Sequence, residues 1–256
     1  IDEKITDLNL VSEMIKIGSK KYDSLEKLYS KLQEMYGTHF NCYVNKCGEV
    51  AVFTIYIEFL KDEYTDQNTS LWDEIINFLH EIFYNVLEEK GCFKEEFLKI
   101  EKENLRTNIL SLVDSKNYYA YVKCEQISTK NEPYVNYIYG NVDRLEKING
   151  KNLYEFYLNL RELPYYFVII GNFDEDRIKN MLYDKFGKSL ERKFNTDNNK
   201  FLKTDFTESY ERFDITQTKL VINFKTPITI FNGDYYAFFV FNKILGSGYS
   251  KLYREV

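Results

Sequence analysis

The side chains best able to bind a metal or act as a nucleophile are few. The chain has two histidines, His39 and His80, and four cysteines, Cys42, Cys47, Cys92 and Cys124. His80-Glu81 begins like the His-Glu-x-x-His of a zinc peptidase, but position 84 is Tyr, so the second imidazole is missing. His80 is read instead as a histidine on a mostly buried helix. The cysteines show no Cys-x-x-Cys spacing and read as scattered, reduced thiols. No Gly-x-Ser-x-Gly elbow occurs, and a Ser-His-Asp or Cys-His pair would have to use His39 or His80, with nothing around either to support it.

The stretch from Asn9 to Tyr22 is more informative. Leu8, Val11, Met14 and Ile15 recur at helical spacing and predict a short amphipathic helix with one buried stripe, stopped by Gly18 and Ser19. This segment resembles the helix of the insulinase-like (pitrilysin-type, M16) zinc peptidases that carries His-x-x-Glu-His and then a Gly-Thr and a basic pair. Gly18, Ser19, Lys20 and Lys21 match that tail. The resemblance puts the two zinc histidines on Asn9 and Glu13 and the catalytic base on Ser12. In that family the third ligand is a glutamate seven residues after another glutamate on a later helix; here Glu101 is kept and Asn108 stands in the ligand place.

A catalytic zinc needs three imidazole, carboxylate or thiolate ligands and an open position for water. Asn is a poor ligand and Glu13 alone cannot hold the ion. The resemblance therefore implies a non-catalytic member with no cofactor. The alternative is a zinc peptidase with substitute ligands, Glu13 with His80 or Glu101, which would have to close a site of roughly 2 Å bonds.

Composition fits a folded protein. The 256 residues are 44% hydrophobic, enough to fill a core. A net charge of −6 with interspersed Lys, Asp and Glu gives no basic block, which argues against nucleic acid as the main partner. The longest apolar runs, such as Tyr165 to Ile170 and Tyr235 to Phe241, are too short to cross a bilayer. Ile1-Asp2-Glu3 does not open a signal peptide, so a soluble, cytoplasmic protein without membrane contact is expected.

The elements that must position these residues follow from periodicity. A second amphipathic helix carries Leu25, Leu28, Leu32 and Met35 and closes at Gly37. His39 to Asn45 and Val50 to Phe59 read as a hairpin turned at Lys46-Cys47-Gly48-Glu49. Ser70 or Thr69 can cap a helix from Leu71 to Glu89, broken by Gly91. A long helix from Phe93 to Val113 turns Phe97, Ile100, Leu105, Ile109 and Leu112 inward, and another runs from about Ser115 to Gln126. Shorter helices cover Asp143 to Ile148 and Asn152 to Leu160. Tyr165 to Ile170 is an apolar strand, after which Asp174 caps a helix to Phe186. Beyond a polar stretch, Arg212 to Phe224 is a strand and Tyr235 to Leu245 an apolar helix. This is an α+β pattern.

Several of these pieces carry the same resemblance. Asn41-Cys42-Tyr43-Val44 is similar to the Asn-Ala-Tyr/Phe-Thr strand, the sheet edge on which the family lays a substrate peptide. An unpaired edge binds an extended peptide through backbone groups, although an edge can equally be covered or merely protected. Glu132-Pro133-Tyr134 with Tyr139-Gly140 resembles the family's Glu/His-Pro-Tyr loop. Leu245 to Val256 resembles the Leu-Gly-Gly-x-x-Ser-x-Leu segment of its second domains.

The resemblance implies an α+β, M16-type sandwich of an antiparallel-rich sheet covered by helices, with the start of a second similar domain. It implies most of one domain at 1–190 with its first strands missing, a linker at 191–205 and a truncated second domain at 206–256, so the chain is expected to be a fragment. It is similar to the bacterial members without zinc ligands, which implies pairing with a catalytic subunit of the same family, as a heterodimer, or with a second copy. A scaffold that binds a partner but no peptide is the remaining reading.

Overall fold

The structure, a computed structural model, describes residues 4–66, 70–187, 203 and 205–246. The expected linker at 191–205 and the Leu-Gly-Ser-Gly segment at the end fall almost wholly outside the described residues.

Helix α1 (Ile5–Ile17) is the centre of the fold, and it is not the one-striped helix expected. Eleven of its thirteen residues are buried, including the polar Thr6, Asp7, Asn9 and Ser12. Leu10, Val11, Met14 and Ile15 join one core with Leu28, Phe78, Ile82, Leu98, Leu105, Leu153 and Tyr157. A helix apolar on one face and short-polar on the other can be enclosed only if each polar side chain finds a partner. Gly18 ends it at φ 149, where a Cβ would lie 2.2 Å from the carbonyl oxygen of Tyr22. Only glycine fits that approach.

Around α1 lie α2 (Leu25–Glu34), capped by Ser24, whose hydroxyl accepts from the Lys27 N–H at 3.2 Å, and an antiparallel hairpin of β1 (His39–Cys47) and β2 (Val50–Glu58). Lys46 and Cys47, expected in the turn, belong to β1, and the loop is only Gly48-Glu49, with Gly48 at φ 56. A two-residue hairpin needs that positive φ to match the strand twist.

Helix α3 (Leu71–Tyr84) stops five residues before the expected Glu89. The apolar period continues through Val86 and Leu87, both buried, but the Lys20 N–H donates to the Asn85 carbonyl at 2.8 Å and Ser19 bridges to Val86, drawing the chain off the helix. A small hairpin follows, β3 (Glu88–Glu89) and β4 (Cys92–Phe93), turned at Lys90 and Gly91 with φ 53 and 76. Ser70 does not cap α3; Asp62 does so, accepting from the Leu71 N–H at 3.0 Å and the Ser70 hydroxyl at 3.2 Å. Thr69 is outside the described residues.

Next come α4 (Glu95–Leu110), with Leu98 buried and Ile100 exposed contrary to expectation, and α5 (Lys116–Ser128). α6 (Val142–Lys147), α7 (Gly150–Arg161) and α8 (Glu175–Phe186) follow, capped by Asn141, Asn149 and Asp174 respectively.

Two expected strands do not pair. Over Tyr165–Ile170 the alternation is a strand's: Phe167 and Ile169 pack on Ile76, Ile178 and Leu182, while Val168 and Ile170 are 83% and 92% exposed. Yet no ladder forms there among the described residues, nor over Arg212–Phe224. The latter stretch instead runs beside α5 in the same direction. The Tyr119 hydroxyl donates to Glu211 at 2.6 Å, the Cys124 thiol to the Val221 carbonyl at 3.8 Å, and the Asn223 amide to the Ser128 hydroxyl at 2.9 Å. The last helix, α9 (Tyr235–Gly246), buries none of its residues.

Candidate functional site

Of the positions to which the resemblance assigns zinc or base roles, Asn9, Ser12 and Glu13 are engaged in other contacts. Asn9 is 7% exposed and its amide donates to two carbonyls, Ile5 and Ile138, each at 2.8 Å. Ser12, 2% exposed, donates to the Asn9 carbonyl at 2.7 Å. Glu13 reaches the surface and pairs with Lys16 at 2.6 Å, one turn along α1. Asn108 is exposed on α4, and Glu101 accepts from Asn104 at 3.0 Å.

These groups do not fit a zinc ion. An amide spending both of its donors on carbonyls offers no lone pair in their direction, and a hydroxyl is neither a proper zinc ligand nor a base. Among the described residues, no three His, Cys, Asp or Glu side chains come together in a group able to hold a metal. The substitute-ligand set fares no better. His80 stacks on Tyr84 with ring centroids 4.7 Å apart and meets Phe186 edge-on at 5.5 Å. Burial, then the charges of Lys185 and Arg161, lower its pKa against the opposing pull of Glu81. Glu81 is itself committed: it accepts from the Ser19 hydroxyl at 2.8 Å, the Lys21 N–H at 3.0 Å and the Asn85 amide at 2.6 Å, pinning the turn after α1.

The polar face of α1 fastens the loop after α5. Asp7, 1% exposed, takes two hydrogen bonds from Arg144, from Nε at 2.7 Å and Nη2 at 2.6 Å. The Thr6 hydroxyl accepts from the Asn141 N–H at 3.2 Å, and Gly140 passes so close that a Cβ there would lie 2.0 Å from that oxygen. With Asn9 on Ile138, residues 138–144 are held by three polar side chains in one helix turn. Sequence reasoning missed this role, because Thr6 and Asp7, with Asn9 and Ser12, look like the solvent face of an amphipathic helix.

The β1 strand presents the other candidate site. Cys42 and Val44 point inward and are buried, whereas Asn41 is half-buried and Tyr43 exposed on the opposite face. Burial pushes the Cys42 thiol pKa well up, leaving it a packed, unreactive group. Cys47 and Val50 flank the two-residue loop, so they form a hydrogen-bonded pair, and the pairs at Asn45, Tyr43, Asn41 and His39 follow by alternation. The backbone groups of Phe40, Cys42, Val44 and Lys46 then face the other edge, where no strand pairs among the described residues. Consistent with this, the Cys42 N–H is met by the side-chain oxygen of Asn41 at 2.8 Å.

Inside β1, Lys46 buries its ammonium against loop 133–139. It donates to the carbonyls of Tyr134 at 2.9 Å and Asn136 at 3.0 Å, lies 3.8 Å over the Tyr134 ring and is 3.5 Å from Glu125. Burial lowers its pKa, and Glu125 offsets part of that.

Comparison with known proteins agrees with this anatomy. Residues 147–256 match the family described as the peptidase M16 inactive domain. Over 260 aligned residues the chain is 28% identical to the "Probable inactive metalloprotease YmfF" of Bacillus subtilis (strain 168), covering 99% of this chain and 60% of that protein. The chain thus spans about 60% of that relative's length. Among solved structures it is similar to a conserved protein from Enterococcus faecalis V583, 28% identical with a TM-score of 0.60, over 62% of this chain and 38% of that one. The periplasmic protease PqqL from Escherichia coli matches at 14% identity and a TM-score of 0.54, over 73% and 20% of the two chains, and shares the fold. Residues 147–256 thus match the M16 inactive domain, the chain is similar to a probable inactive metalloprotease, and its α+β fold is that of M16 peptidase structures.

Proposed function

We propose that the protein is a non-catalytic M16 subunit that pairs with a catalytic subunit of the same family and presents the free edge of β1 to an extended peptide. The observation that carries the first part is Asn9: at a zinc-ligand position, its amide is spent on the carbonyls of Ile5 and Ile138. The edge parity of β1 supports the second, because the backbone groups of Phe40, Cys42, Val44 and Lys46 stand where an added strand would bond.

Among the described residues no helix is long and apolar enough to cross a membrane, and the reading places the pair in the cytoplasm without nucleic acid as a partner. Co-expression with an intact His-x-x-Glu-His homologue tests the pairing. A stable 1:1 complex that hydrolyses an unfolded peptide, while this chain alone does not, is the expected result. Hydrolysis by this chain alone, lost on chelation, would sink it.

A further inference from the structure

Beside the Cys47 end of β1 stands a patch of mostly exposed tyrosines. Tyr118 and Tyr121, one turn apart on α5, hold their rings nearly parallel, 13° between planes and 6.4 Å between centroids, and are 44% and 53% exposed. Tyr137 continues the patch at 6.5 Å from Tyr118, and Tyr139 meets Tyr137 edge-on at 5.5 Å. Exposed rings contribute little to a core, yet three of them, Tyr118, Tyr121 and Tyr139, cluster around the half-buried Tyr137. Glu125 lies on the same helix, mostly buried, with its carboxylate 3.4 Å from the Tyr121 hydroxyl, 3.5 Å from Lys46 and in hydrogen-bond contact with the Tyr134 side chain. The chain already uses one neighbouring ring to hold a cation, since the Lys46 ammonium sits 3.8 Å over Tyr134.

We infer that Tyr118, Tyr121 and Glu125 form a subsite for a basic side chain, arginine above all, of a peptide laid along β1. This rests on the reading of β1 as a peptide-docking edge. A guanidinium stacks on tyrosine faces and donates to a carboxylate at the same time, which an ammonium does less well and an aliphatic chain not at all. The anchoring of Lys46 to the Tyr134 and Asn136 carbonyls holds the loop that carries Tyr137 and Tyr139 beside the end of the strand.

The test uses two synthetic peptides, identical except for arginine or norleucine at one position, and the whole chain. The arginine peptide binds about three- to tenfold tighter, and Tyr121→Leu or Glu125→Gln removes that difference while leaving the norleucine peptide unchanged. Equal binding of the two peptides overturns the subsite and leaves the β1 reading intact. Should neither peptide bind, the β1 reading fails, and the subsite is decided by titrating Nα-acetyl-arginine methylamide into fluorotyrosine-labelled protein. Saturable fluorine shifts at Tyr118 and Tyr121 that are lost in Glu125→Gln, which keeps both reporters, support it, and their absence overturns it.

Discussion

The side-chain amide of Asn9 donates to the carbonyl of Ile138 at 2.8 Å, joining positions 129 residues apart in sequence. The position to which the M16 resemblance assigns a zinc histidine is thereby a tie between the central helix and the loop that carries Tyr137 and Tyr139. Asn9→Ala removes one buried and one part-buried hydrogen bond and takes the side-chain donor from the Ile138 carbonyl, while the Ile5 carbonyl keeps its helical N–H, at a cost of about 1–2 kcal/mol in denaturant unfolding. A loss within the noise would mean that the tie is idle.

Arg144 and Asp7 make the stronger tie. Replacing Arg144 by Met leaves a carboxylate that is 1% exposed without its bidentate partner, and the expected loss is about 3 kcal/mol or more. The double variant Asp7→Asn with Arg144→Met should recover much of it, which a double-mutant cycle measures.

How much of this was legible beforehand differs by element. Gly18 through Lys21, Glu132-Pro133-Tyr134 and the segment 245–256, in that order, carried the resemblance to M16-type proteins, whose fold the solved neighbours share; the assignment of ligand and base roles to Asn9, Ser12, Glu13 and Asn108 is what that resemblance implies. The burial of α1 on nearly all sides was not legible, because Thr6, Asp7, Asn9 and Ser12 look like a solvent face until residues 138–144 are seen covering them. The early end of α3 was hidden for a similar reason: Val86 and Leu87 keep the helical period, and only the distant Ser19 and Lys20 draw them away. At Tyr165–Ile170 the alternation was correct, but a strand also needs a neighbour, and periodicity does not supply one.

Acid should loosen the turn after α1. Burial alone would raise the Glu81 pKa, but hydrogen bonds from Asn85, Ser19 and the Lys21 N–H outweigh it and hold the carboxyl below its ordinary 4.5. A depressed folded-state pKa stabilises above the unfolded value, and that stability is lost as pH falls through the folded one. Glu81→Gln should flatten the unfolding free energy against pH below about 4.5, with little change in slope near neutrality. An unchanged acid limb would count against this role.

The thiols should separate by burial. Cys42, 1% exposed with its pKa pushed up by burial, should resist iodoacetamide in the folded protein, whereas exposed Cys47 is alkylated. Mass spectrometry of the native digest reads this directly, and early labelling of Cys42 would place β1 differently.

Asn41 should act as a gate on the edge. Its side-chain oxygen occupies the Cys42 N–H at 2.8 Å, so an incoming strand must displace it. Asn41→Ala is expected to tighten peptide docking about two- to threefold with little effect on stability, measured by fluorescence anisotropy. Weaker docking would mean that Asn41 contacts the peptide itself.

Elemental analysis of the protein after equilibration with zinc and gel filtration bears most directly on the ligand positions. With Asn9 on the Ile138 carbonyl, Ser12 on the Asn9 carbonyl and Glu13 on Lys16, the expected content is well below one zinc per chain, and adding zinc elicits no peptide hydrolysis. One tightly held zinc per chain, removed by chelator and lost in Glu13→Gln, would contradict it.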